Sequence, residues 1–212
     1  MSEMLSSSLA AFALTALVVE MTPGPNMAYL AALSLSQGIR AGLAAVIGVA
    51  LGLSVYGVAA ALGLSAIIDR SPLLYEVLRW GGVAYLLWLA WEAWASEAET
   101  SPQHADDPNA RPWIAFRRGL ITNLLNPKAA VFYVAVLPDF VRIDAGSVAS
   151  QTLMLSAIYV GIATAIHLVI VCLAGRLQGV IATPDKRRTI RRILALLLAA
   201  IAIWFAFSTA RS

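Results

Sequence analysis

Apolar residues occur along this chain in long continuous runs, with the polar residues gathered between them. Six runs stand out: about Leu9 to Leu35, Ala41 to Ile68, Leu73 to Trp94, Gly119 to Val141, Val148 to Gly175 and Ile193 to Ser208. A helix needs about 20 apolar residues to cross a bilayer, so the runs have the length of spans, and the longest must tilt or kink. They show no alternation of period two, which argues against a membrane barrel. The pattern predicts an all-α integral membrane protein with six transmembrane helices.

The first run is interrupted by Thr22-Pro23-Gly24-Pro25-Asn26. Proline lacks the backbone donor and glycine is conformationally loose, so the helical ladder opens here. In hydrocarbon an opened backbone is tolerated only where protein or a water-filled cavity covers it. A counterpart lies in the fourth run, where Thr122 and Asn126 repeat Thr22 and Asn26 at an offset of 100 residues, with Pro127 alongside. Ala41-Gly42 likewise matches Ala145-Gly146 at an offset of 104. These matches suggest a duplication within a single transmembrane domain, 1–212: repeat 1 over about 1–95, a polar linker over about 96–118 and repeat 2 over about 119–212. Three spans is an odd number, so the second copy lies inverted. The first and fourth helices are then the proline-interrupted pair, and such pairs in inverted halves point to a transporter's substrate site.

Composition supports the membrane assignment. Of 212 residues, 60% are hydrophobic and 13% charged, with a mean hydropathy of +0.78, against about 25% charged in an ordinary soluble domain. The net charge of +3 does not indicate nucleic acid, because the basic residues sit beside apolar runs as orientation signals do. With six spans, Arg40, Arg111, Arg117, Arg118, Arg176, Lys186, Arg187, Arg188, Arg191 and Arg192 share one side, and Arg70, Arg79, Arg142 and Arg211 flank the other. The bias makes the 96–118 linker cytoplasmic and places both termini on the periplasmic side. No cleavable signal peptide is expected, since Met1 to Ser8 carries Glu3 and no basic residue. Cys172 alone cannot form an intrachain disulfide or run a dithiol cycle, which removes a membrane redox conduit.

Candidate chemistry gathers at the breaks. Asn126 followed by Pro127 is a good helix start, and Thr22 with Pro23, or Gly24 with Pro25, can begin a helix likewise. Helix N-termini facing the interior would suit an amino acid's carboxylate. Counted from Arg118, Asn126 lies about 12 Å deep, near the midplane of a core about 30 Å thick. Lys128 costs about 3 kcal/mol at such a depth, so a cavity or a carboxylate should face it. It reads as a counter-charge for substrate, a titratable group or a structural ion-pair partner of Glu20. Glu20, two residues before the break, reads as a proton carrier, a ligand for the substrate's ammonium group or a structural partner of Lys128. Asp139, after Pro138, is a second proton-coupling candidate, with a solvated helix end as its alternative.

The remaining features carry less. His167 and Cys172, five residues apart, share a helix face poorly, so no metal pair is expected, and no cofactor. No nucleophile-and-base pair suggests an enzyme. Gly38, Gly42, Gly48 and Gly52 suggest close helix packing within the protomer or in a homodimer. Trp88, Trp91 and Trp94 suit an interfacial aromatic belt, and Glu76 and Arg79 suit a local pair.

The segment TPGPNMAYLAALSLSQGIRAGLAAVIGVALG from Thr22 to Gly52, FRRGLITNLLNPKAAVFYVAVLPDFV from Phe116 to Val141, and WGGVAYLL from Trp80 to Leu87 resemble the LysE/RhtB family of bacterial amino-acid exporters. The resemblance covers nearly the whole chain. It implies export of amino acids or related metabolites across the bacterial inner membrane, energised by the proton gradient as antiport. It favours the RhtB-like branch, associated with neutral amino acids such as threonine, homoserine and leucine. The alternatives are export of basic amino acids or of a divalent metal ion. Clustered ligands would be needed for the metal, and Glu20, Asp139 and His167 are scattered along the chain. The family pattern usually has glutamine where Asp139 stands.

Overall fold

The computed structural model describes residues 2–63, 72–95, 110–178 and 184–208, which are helical apart from short turns and the segment 141–147. The helices are α1 (Ser2–Met21), α2 (Pro25–Gln37), α3 (Ile39–Ala61), α4 (Pro72–Ala95), α5 (Ala110–Leu124), α6 (Pro127–Val131), α7 (Val148–Gln178) and α8 (Pro184–Ser208). α6 continues through a π-helical stretch, Phe132–Val136, into a 3-10 turn, Leu137–Phe140.

Both proline motifs break the backbone as expected. α1 and α2 are bent by 57° across Thr22 to Gly24, and α5 and the α6 segment by 49° across Leu125 and Asn126. Pro25 and Pro127 each take the first helical position, where the missing donor removes no bond. The hydroxyls of Thr22 and Thr122 each donate back to a carbonyl four residues earlier, Val18 O at 3.1 Å and Arg118 O at 2.7 Å. The two breaks nevertheless differ in register. Asn26 is the second residue inside α2, whereas Asn126 is the N-cap preceding α6. The second sequence match does not mark equivalent positions either. Gly42 is buried within α3, whereas Gly146 lies in a loop at φ 107°.

α3 and α7 form the centre. α3 packs along α5 and α7, and α7 also meets α1 and α2. α4 and α8 pair with each other and join the rest through α2 and α6. Small residues allow the closest approach. A Cβ on Gly48 would fall on the Phe116 carbonyl, and one on Gly119 on the Ala45 carbonyl. Gly42 and Gly52 are pressed by Val171 and Asn123, so three of the four glycines serve packing within the protomer. Gly38 instead makes the turn between α2 and α3 at φ 89°, a conformation that favours glycine.

Two helices among the described residues, Ile39–Ala61 and Val148–Leu177, are long and apolar enough to cross a membrane alone; counting each bent pair as one span gives four. α4 and α8 hold shorter apolar cores, Trp80–Trp91 and Ala195–Trp204. The expected linker also ends early, since α5 begins at Ala110 and makes Arg117 and Arg118 helical. On this amphipathic stretch Arg118 lies over the Trp88 ring at 5.6 Å. Trp88, Trp91 and Trp94 are exposed, as a belt requires. The Arg79 side chain lies outside the described ones.

Candidate substrate and proton site

The two breaks meet. Lys128, in the first turn of α6, donates from Nζ to the Thr22 carbonyl at 2.7 Å, reaching an acceptor that the end of α1 leaves open. The same Nζ lies 3.9 Å from Glu20 Oε2. Its link to Glu20 is therefore a loose ion pair, and its short bond is to backbone. Gly24 leaves room for the lysine stem: a Cβ there would stand 3.2 Å from Lys128 Cδ. Because Gly24 has an extended φ of −156°, space rather than backbone geometry is what favours glycine.

The N-termini of the two half-helices are treated differently. Asn126 Oδ1 accepts from Lys128 N at 3.0 Å, so α6 is capped by its own chain. α2 has no side-chain cap at Gly24. Its first free donors, with their partial positive charge, thus remain available beside Lys128.

Glu20 is buried on the last turn of α1. Tyr159 donates its hydroxyl to Oε2 at 3.1 Å. His167 places Nε2 3.0 Å from Oε1, a close contact whose alignment falls short of a hydrogen bond. Tyr159 and His167 are eight residues apart, close to two turns, and so share one face of α7. The Phe132 ring stacks on Tyr159 with centroids 3.7 Å apart. The π-helical stretch behind it buries the consecutive residues Phe132 and Tyr133 together, and such distortions often mark functional positions.

A second polar pair joins the two breaks. Asn26 Nδ2 donates to Asn123 Oδ1 at 2.8 Å across 97 residues of sequence. Both side chains are buried, and Asn26 Oδ1 and Asn123 Nδ2 have no hydrogen-bond partner. Glu20, Gly24, Asn26, Met27, Asn126, Lys128, Ala129 and Tyr159 enclose a cavity of about 10 Å³, close to the smallest that holds one water molecule. An amino acid does not fit this volume, so the conformation is closed around the site.

Of the residues singled out in the sequence, Glu20, Gly24, Asn26, Asn126 and Lys128 line this cavity. Pro25 and Pro127 are buried beside it, Thr22 contributes its carbonyl, and the Thr22 and Pro23 side chains are exposed. Asp139 is exposed on the 3-10 turn and does not line the cavity. Tyr159, His167 and Asn123 were not assigned to the site from sequence. Asn123 lay within the second motif, whereas nothing along the sequence ties Tyr159 or His167 to the carboxylate they meet. Cys172 is exposed, while His167 turns to Glu20.

The fold and site define a helical membrane protein with a buried charged centre between two broken helices. The chain belongs to the LysE type translocator family, whose model matches residues 17–209. It is similar to the homoserine/homoserine lactone efflux protein of Salmonella typhimurium, 31% identical over 131 residues that cover 62% of this chain and 63% of that relative. The match thus spans less than two thirds of that relative's length. It is 30% identical to the leucine efflux protein of Enterobacter sp. over 66% of this chain and 67% of the relative. It is also 30% identical to the uncharacterized membrane protein YrhP of Bacillus subtilis, over 71% of this chain and 75% of the relative. No solved structure matches the chain at a significant level.

Proposed function

We propose that this protein exports neutral amino acids such as homoserine, threonine or leucine from the cytoplasm across the bacterial inner membrane, in exchange for protons. The observation that carries the reading is the meeting of one cation, one carboxylate and one uncapped helix N-terminus around a single cavity. An α-amino acid is a zwitterion with its two charges a few bonds apart. Its carboxylate would lie against Lys128 and the N-terminus of α2. Its ammonium group would lie against Glu20, with Asn26 Oδ1 as a neutral acceptor. The names of the efflux relatives support this substrate class.

Proton exchange follows if Glu20 holds either the ammonium group or a proton. Two ligands competing for one carboxylate exchange across the membrane when the site faces each side in turn. The α4 and α8 helices would complete six spans, with the four-span core around the site.

Cells fed dipeptides should release one neutral amino acid faster when they carry this protein, and an uncoupler should abolish the release. Unchanged release of all twenty would overturn the reading. Release of lysine or arginine alone would replace it with export of basic amino acids.

A further inference from the structure

We propose that the coupled proton is held by Glu20 and His167 together, and that the protonated imidazole neutralises the Glu20 charge that the substrate's ammonium group pairs with in the other half of the cycle. The inference rests on the export reading and adds a residue of α7 to its mechanism.

The geometry assigns each oxygen of Glu20. Oε2 faces Tyr159 at 3.1 Å and Lys128 at 3.9 Å, while Oε1 faces His167 at 3.0 Å. His167 is 1% exposed, and Nε2 has no hydrogen-bond partner. A buried imidazole whose Nε2 meets a buried carboxylate is a two-group site for one proton. The surrounding titratable groups are Lys128 of α6, Tyr159 of α7 and Tyr133 of the π-helical stretch, whose ring meets that of Tyr159 edge-on at 5.7 Å. Tyr29 is the one ionisable side chain on α2. Each tyrosine is neutral in ordinary water near pH 7, which leaves Glu20, His167 and Lys128 as the groups whose charge decides the state.

Charge balance then separates two loaded states. With a neutral imidazole, Glu20 and Lys128 cancel, and a bound zwitterion adds a matched ammonium and carboxylate. With one proton added from the periplasm, the imidazolium pairs with Glu20, and an incoming ammonium group finds that charge already neutralised. Substrate from the cytoplasm displaces that proton, which leaves to the cytoplasmic side. The cluster thus holds one extra proton or one amino acid, and simultaneous loading is unfavourable. Tyr159, donating to the other oxygen, keeps the carboxylate oriented in both states.

The test uses full-length protein in liposomes and a labelled amino acid that the wild type exchanges. His167→Gln should lose the acceleration by a pH gradient, read as the ratio of gradient-driven to equal-pH exchange within each protein. Gradient-driven transport like that of the wild type in His167→Gln would overturn the inference and leave the export reading standing. A wild type that exchanges no amino acid would overturn the export reading itself. A second measurement needs no change in the cluster. His104 is the chain's other histidine, so His104→Gln protein labelled with nitrogen-15 histidine reports His167 alone. At fixed mildly acidic pH, adding the amino acid should shift the ring resonances from imidazolium toward neutral imidazole. Unmoved resonances at saturating substrate would overturn the inference.

Discussion

Lys128 is engaged three ways within a few ångströms: its amide caps onto Asn126 Oδ1, its Nζ bonds the Thr22 carbonyl, and its charge lies within 3.9 Å of Glu20. The backbone amide bond survives substitution of the side chain, so the α6 start should persist without the charge. Lys128→Met, which keeps the stem and removes the ammonium, is expected to insert and fold yet export nothing, measured as dipeptide-fed release beside membrane yield. Retained export would remove Lys128 from the site. Gly24→Ala should act through the same lysine. Its methyl group displaces Cδ by a few tenths of an ångström, and a severalfold fall in export with normal membrane yield is the expected outcome. The Asn26 and Asn123 amides form a buried bond between the breaks. Asn123→Ala leaves a buried donor without its acceptor and should lower stability by about 1 kcal/mol, read from thermal unfolding in detergent.

At the scale of elements, the helix contacts that aim these side chains depend on missing Cβ atoms. α3 and α5 approach so closely that Gly48 and Gly119 each face a carbonyl of the other helix. Gly48→Ala must push the helices apart and is expected to cost about 1–3 kcal/mol. Gly161 on α7 meets nothing within 4 Å, so Gly161→Ala should be neutral or slightly stabilising. Thermal unfolding of the two variants side by side separates a packing requirement from a general preference for glycine. Equal behaviour would contradict the close α3 and α5 contact. The bends have a different origin. They follow from proline at the first position of α2 and α6; the Thr22 carbonyl released at the first bend is met by Lys128, and the side chains of Asn26 and Asn123 bond beside the breaks.

For the whole molecule, the proposed six spans and the basic residues grouped on one side predict a C-terminus in the periplasm. A reporter active only in the periplasm, fused after Ser212, should be active, and activity of a cytoplasm-only reporter there would refute the topology. The breaks bring the halves together, yet they differ in register, and Gly42 and Gly146 have unlike surroundings.

The sequence by itself determined the all-helical class, the two breaks and five of the cavity residues. These are local anomalies: prolines that cannot continue a ladder, and charges that are costly within apolar runs. Tertiary structure alone decided the partners of Glu20 other than Lys128. Whether Glu20 pairs with histidine or tyrosine depends on how α7 packs against α1, and 139 residues separate Glu20 from Tyr159. A lone histidine in an apolar run carries no mark of the carboxylate it will meet. Asn126 was legible as a helix cap from its place beside Pro127, and its oxygen does accept from Lys128 N while the residue lines the cavity. The open N-terminus belongs to α2, because Gly24 has no side chain with which to cap it.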